Sequence, residues 1–320
     1  MAFKRASVNI DGPMEDFLPV YLPIANLSVN GLLIVMLGAL TGVLSGLFGV
    51  GGGFLTTPLL IFYGIPPTVA AASASTQVTG ASVSGVLAHS RRGGVDYRMG
   101  AVAVVGGIFG AMIGAILFRL LQAIGQIDIA ISILYVVMLG FIGSLMMQEA
   151  FSAIRKEEKN TTLVRKRRHH PLVAGLPMRW RFYQSGLYIS PIAPFILGFL
   201  VGILTMLMGV GGGFLLVPAM LYILGMNGSV VVGTSLFQIL FVTITTTMMH
   251  ALTTQAVDIV LAGLLLLGSV IGAQLGTQIA IKARPEILRF VLASIVILVA
   301  LRMLFGLGVE PDEVYTVAPL

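Results

Sequence analysis

Gly49-Val50-Gly51-Gly52-Gly53-Phe54-Leu55-Thr56-Thr57-Pro58 interrupts one long apolar run, and Gly209-Val210-Gly211-Gly212-Gly213-Phe214-Leu215-Leu216-Val217-Pro218 interrupts a second. Each glycine in a helix interior costs about 1 kcal/mol relative to alanine, so three in a row predict a break. Inside a bilayer a broken helix leaves backbone groups that lipid cannot satisfy. It is tolerated where protein buries it or where it lines a wet cavity. Two such breaks in matching positions of two halves point to the binding site of a transporter.

The rest of the chain fits that setting. Of 320 residues, 57% are hydrophobic and 10% charged, the composition of an integral membrane protein. There is no cysteine, which excludes disulfides and thiolate chemistry. The net charge of +6 collects in a few loops, a pattern of membrane orientation rather than of nucleic-acid binding. Lys4 and Arg5 are followed by Asp11, Glu15 and Asp16 rather than by a clean apolar core, so no cleavable signal is expected. Gly31 to Tyr63 carries no charge, and as one helix it would measure about 50 Å, too long for a ~30 Å core. The glycine break resolves this into a longer and a shorter helix.

The expected organisation is a polar lead-in (1–30), a transmembrane repeat (31–149), a basic cytoplasmic linker (150–190), a second repeat (191–305) and a tail (306–320). The repeats keep register through polar residues as well as apolar ones. Gly49 matches Gly209, Pro58 Pro218, Gln77 Gln238, His89 His250 and Asp96 Asp258. Equivalent loops carry opposite charge. The loop after His89 holds Arg91, Arg92 and Arg98, whereas Ala251 to Val257 holds no Lys or Arg. Under the positive-inside rule this favours inverted repeats, each broken segment forming a hairpin. The alternative is parallel repeats, each broken segment crossing once. The fold class expected is therefore all-α: a polytopic membrane bundle of two homologous repeats, each with a glycine-broken helix or hairpin.

The expected substrate site is Gly51, Gly52, Gly53 and Phe54 with Gly211, Gly212, Gly213 and Phe214. The first N–H groups of a helix lack intrahelical partners, and its N-terminus carries about half a positive charge. Two such ends near the midplane make an anion site without a cationic side chain. Close helix packing is the competing explanation for the glycines, and it is preferred for Gly106, Gly107, Gly110, Gly114, Gly268, Gly272 and Gly276. Ser75, Thr76, Gln77, Ser235 and Gln238 on the following helices add hydroxyl and amide donors. Interhelical hydrogen bonding, worth ~0.6 kcal/mol on average, is their ordinary use. His89, Asp96, His250 and Asp258 stand at helix ends near the interface. Helix capping is the plain role for the aspartates, and a gate or proton-coupling role is the sharper one. Pro191 to Met249 contains no Asp, Glu, Lys, Arg or His, which disfavours a proton pump or cation pathway. Paired carboxylates, metal-ligand clusters and nucleophile–base pairs are missing, so no enzyme, metal or cofactor is expected.

The duplicated Gly-x-Leu-[Ser/Thr]-x-Leu-x-Gly-Val-Gly-Gly-Gly-Phe-Leu…Pro, at Gly42–Pro58 and Gly202–Pro218, resembles the TauE/SafE family of membrane anion exporters. So do Ala74-Ser75-Thr76-Gln77 and Thr234-Ser235-Leu236-Phe237-Gln238, and the resemblance covers about residues 31–305. It implies export of sulfite, sulfoacetate or related organosulfonates from a multi-pass position in a cell membrane, as in a bacterial inner membrane. The partners implied by the resemblance are a small anion and the bilayer, while the charge of the basic linker itself fits a cytoplasmic loop that fixes topology or a contact with anionic lipid. An anion channel and a non-transporting scaffold acting through the linker are the competing functions.

Overall fold

The computed structural model describes residues 19–48, 51–157, 179–282 and 285–308. Gly49, Val50, the lead-in before residue 19, most of the basic linker, Arg284 and the tail beyond 308 lie outside the described residues. The same element order occurs on both sides of the linker. A two-stranded hairpin, β1 (Pro19–Leu22) and β2 (Leu27–Asn30), leads into α1 (Gly31–Phe48), short α2 (Gly53–Phe62), α3 (Pro67–Ser90), α4 (Tyr97–Ala123) and α5 (Ile127–Glu157). Then β3 (Trp180–Phe182) and β4 (Leu187–Ile189) lead into α6 (Ile192–Met208), short α7 (Gly213–Tyr222), α8 (Gly228–Met249), α9 (Ile259–Lys282) and α10 (Pro285–Gly308). A single π-helical turn, His250–Thr254, extends α8.

Among the described residues five helical segments are long and apolar enough to cross a membrane: Tyr97–Ala123, Ile127–Gln148, Val230–Thr254, Ile259–Gly276 and Phe290–Gly308. The sequence reading also makes Thr68 to His89 a crossing helix. α3 is long enough but falls outside that set because Ala, Ser and Thr dominate it. Its first half is buried by protein, so it needs no lipid-facing apolar surface.

Both short helices double back. The Tyr63 hydroxyl at the end of α2 accepts from Asn30 N at the start of α1, at 3.3 Å. Leu60 and Ile65 share one core cluster with Leu22, Ile34 and Leu261. In the second half, Leu216, Met220 and Leu224 likewise pack with Ile189 and Ala193. Each broken segment is a hairpin, not one long rod.

Glycine stripes draw neighbouring backbones together. A Cβ on Gly268, Gly272 or Gly276 of α9 would lie 2.1, 2.1 and 2.2 Å from the carbonyl oxygens of Val35, Ala39 and Val43 of α1. On α4, Gly106 and Gly110 meet Phe195 O and Phe199 O of α6 at 2.1 and 2.0 Å in the same sense. Only glycine permits this approach. Partner numbers rise together, so α9 runs parallel to α1 and α4 parallel to α6. Each pair joins a helix from before the linker to one from after it.

Candidate functional site

The breaks meet at the centre. Gly51 and Gly52 have φ of +89° and +71°, and Gly211 and Gly212 both have φ of +74°, values that L side chains rarely adopt. Neither α2 nor α7 has a side-chain cap at its N-terminus. Gly52 lies against Thr41 O and Ser45 Cβ, and Gly212 against Val201 and Thr205. Thr41 sits ten residues into α1, so Gly52, at the start of α2, lies about 15 Å along α1 from that helix's start, half of a ~30 Å core. The rings of Phe54 and Phe214 stack with centroids 4.6 Å apart and planes 3° apart. Gly53 faces the carbonyl oxygens of Gly209 and Val210, each 2.9 Å from where a Cβ would stand. The structure thus brings Gly51, Gly52, Gly53 and Phe54 together with Gly211, Gly212, Gly213 and Phe214.

Val78 and Ile239 are residues that sequence reasoning missed. A Cβ on Gly53 or Gly211 would lie 2.5 Å from a Val78 methyl, and one on Gly211 3.1 Å from Ile239. With Leu236 they form a small apolar cluster between the breaks. Their signal was position alone: each directly follows one of the paired glutamines.

Those glutamines are fully inside but not equivalent. Gln77, 1% exposed, donates from Nε2 to Thr41 Oγ1 at 3.1 Å and leaves Oε1 without a partner. Gln238, 0% exposed, leaves both amide atoms without a partner. The position matching Thr41 is Val201, which offers no hydroxyl. Hydroxyls also line the α3–α8 contact. Thr79 donates to Thr243 at 2.9 Å and Thr76 to Thr247 at 3.5 Å. Ser75 and Ser235 are turned to their own helices, on Ala71 O and Val232 O.

Three of the four helix-end residues, Asp96, His250 and Asp258, have their side chains buried in protein. Asp96, 2% exposed, caps α4 through Oδ1 on Met99 N at 3.1 Å, while Oδ2 accepts from Ser185 N at 3.0 Å and Ser185 Oγ at 2.6 Å. Asp258, 0% exposed, caps α9 through Val260 N and Leu261 N, both at 3.1 Å, and accepts from Ile24 N at 3.0 Å. Each aspartate therefore holds the β-hairpin of the other half. The backbone N–H of Asp96 donates to Thr234 Oγ1 and that of Asp258 to Ser73 Oγ. His250 packs edge-on to Phe118 and bonds Met206 O at 3.0 Å and Thr254 Oγ1 at 3.1 Å. Met206 O is an acceptor, so Nε2 carries the proton of that bond. Tyr135 and Thr57 donate to Met208 O, at 2.6 and 3.3 Å, so donors hold the carbonyl end of α6. His89 is the exception, half-buried at the end of α3. Among the described residues no cluster of three or more His, Asp or Glu could hold a metal.

A helical bundle with paired hairpins broken at its centre, and five further segments fit to span a bilayer, is a multi-pass membrane protein. Residues 34–303 match the family described as Sulfite exporter TauE/SafE, and the chain belongs to it. It is a membrane transporter, not an enzyme. Similar proteins include the "Probable membrane transporter protein YjnA" of Bacillus subtilis, 29% identical over 273 residues, which cover 85% of this chain and 98% of that one. YunE of the same organism, also called a probable membrane transporter protein, is 28% identical over 85% of this chain and 97% of its own. The Arabidopsis thaliana "Sulfite exporter TauE/SafE family protein 3" is 35% identical over 100 residues, 30% of this chain and 21% of that protein. No solved structure matches the chain.

Proposed function

We propose that the chain is a secondary transporter, working as an exporter, for small sulfur-containing oxyanions: sulfite, sulfoacetate or related organosulfonates. The anion binds near the bilayer midplane at the N-termini of α2 and α7. One observation carries the reading. Two helix N-termini without side-chain caps come together at the Phe54–Phe214 stack, in an assembly that also buries amide groups of Gln77 and Gln238 without partners. Uncapped N–H groups and the helix field favour an anion, and glycines let it approach the backbone. Relatives named as sulfite exporters agree with the anion class.

The two halves act as inverted repeats. α1 runs parallel to α9 and α4 to α6, and both broken segments turn back to the end where they began. A rocking motion of one half against the other would expose the midplane site to each side in turn. Val78 and Ile239 seal the site between those states. The test is flux into proteoliposomes, with sulfite, sulfoacetate, taurine, thiosulfate and sulfate compared against cations. Saturable, counter-ion-dependent anion flux is expected. Flux of cations, or unsaturable anion conductance, would sink the transporter reading.

A further inference from the structure

We infer that the outer face of the β3–β4 hairpin, together with the first turn of α4, is a docking surface for the phosphodiester headgroup of an anionic phospholipid in the leaflet at that end. It uses none of the residues of the breaks, so it stands or falls apart from the anion reading above.

Strand alternation builds the surface. Arg181 stands opposite Tyr188 across the two strands and both are exposed, while Phe182, Leu187 and Ile189 turn inward to the bundle. Tyr183, next along the chain, is 69% exposed. Its ring takes two guanidinium groups, Arg98 of α4 at 5.4 Å and Arg181 at 5.6 Å from its centroid. Arg181, Tyr183 and Tyr188 also line a hollow of about 380 Å³ with the turn residue Gly186. Tyr97 and Trp180, the sequence neighbours of those arginines, are exposed as well.

The positive charge of this face is unbalanced. Among the described residues no carboxylate pairs with Arg98 or Arg181, whose guanidinium groups meet the Tyr183 ring. Asp96, the buried carboxylate at this end, is turned inward onto Met99 N and Ser185. Residues 159–178, which lead toward β3, contain no Asp or Glu. A guanidinium laid on a ring keeps the N–H fork at its edge free and oriented, the geometry that takes a phosphate.

The other hairpin shows that the fold does not need these groups. Position for position, Tyr21 stands where Arg181 does, Pro23 for Tyr183 and Ser28 for Tyr188, and α9 has Val260 where α4 has Arg98. The β1–β2 hairpin keeps the same strand register and its own aspartate contact without a cation. The arginines and tyrosines therefore serve something met at one end only. Tyr97 and Arg98 begin a segment fit to cross a membrane, which puts the face at the membrane–water boundary. A soluble anion needs no exposed tyrosines and tryptophan around it. A lipid headgroup does, because amphipathic rings settle at its level, and each nearby cation strengthens the hold on an anionic lipid about fivefold.

The test uses the purified full-length protein in liposomes and the fluorescence of Trp180, the single tryptophan of the chain. Phosphatidylglycerol or phosphatidylcholine, each spin-labelled on the acyl chain just below the headgroup, is added at equal mole fraction to phosphatidylcholine membranes. Labelled phosphatidylglycerol should quench Trp180 with the higher apparent affinity. That preference should fall about fivefold in Arg98→Gln and about fivefold further when Arg181→Gln is added. Inorganic phosphate or sulfite, at constant ionic strength, should leave the quenching unchanged. Should the double variant not fold, either single variant decides. Equal quenching by the two lipids in the wild type overturns the inference. So does a preference undiminished in the variants, which would assign it to the basic linker. Displacement of the labelled lipid by phosphate or sulfite would make this a soluble-anion site and overturns the lipid assignment.

Discussion

Gln238 buries two polar atoms with nothing to bond, and a fold keeps such a group only where something else requires it. Stability and function should therefore move in opposite directions on its removal. Gln238→Leu is expected to raise the melting temperature of the purified protein, by the equivalent of about 1–3 kcal/mol, while lowering anion flux. Gln77→Leu should lower both, because it also strips Thr41 of its donor. A Gln238→Leu protein that is less stable than wild type would mean the amide is satisfied in a way that needs no ligand. The matching positions in sequence suggest equal roles. Thr41 against Val201 breaks that equality, and a side-chain contact between distant helices is invisible to spacing. The glycines are the sharper residue-scale case. Gly212→Ala imposes about 1–2 kcal/mol of backbone strain at φ +74° and places a Cβ 2.0 Å from Val201 Cγ1. It should lose transport and melt earlier, whereas Gly140→Ala, with open space around its Cβ position, should do neither.

The β-hairpins are the elements that sequence reasoning passed over. Residues 19–30 and 180–189 read as lead-in and linker because strands of three or four residues with exposed aromatics carry too little alternation to register. What fixes them is remote: Ile24 to Asp258, and Ser185 to Asp96, across 234 and 89 residues of chain. The glycine breaks, by contrast, were legible, because a helix penalty is local and the motif recurs. Helix capping by the aspartates was legible for the same reason, while their second contact was not. These clasps hold the two ends of the bundle. Asp96→Ala removes a helix cap worth about 0.5–2 kcal/mol and orphans the buried Ser185 N–H. The β3–β4 hairpin should loosen. Because the chain lacks cysteine, a single Leu187→Cys reports this directly, since Leu187 is 5% exposed. Its thiol should react several times faster with a soluble maleimide in the Asp96→Ala background. An unchanged rate would show that packing of Phe182 and Leu187 holds the hairpin without the clasp.

At the scale of the molecule, contacts sort the loops into two ends. Asn30 meets Tyr63, Thr68 N donates to Asp128, Arg302 lies over the Phe62 ring and Ile24 N reaches Asp258, all at one end. At the other, Asp96 meets Ser185, and Arg98 and Arg181 lie near the Tyr183 ring. Arg91 and Arg92 join them there, in the loop between α3 and α4. The basic end should be cytoplasmic. Inverted repeats then put the turn after α8 outside, because α8 starts at the basic end and crosses once. Parallel repeats, each broken segment crossing once, would put that same turn inside, while leaving Arg91 inside and Gln126 outside in both schemes. Gln255, the first residue past the π-helical turn, is exposed and so discriminates. In whole cells, Gln255→Cys and Gln126→Cys should label with an impermeant maleimide, and Arg91→Cys and Tyr188→Cys should label only after permeabilisation. If Gln255→Cys needs permeabilisation while Gln126→Cys does not, the halves are parallel. The two N-termini would then no longer be related by an axis in the membrane plane. The hydrogen bond from Ile24 to Asp258 makes a second, independent demand. A cysteine at exposed Tyr21 must label from the same side as one at Gln255, whichever side that proves to be.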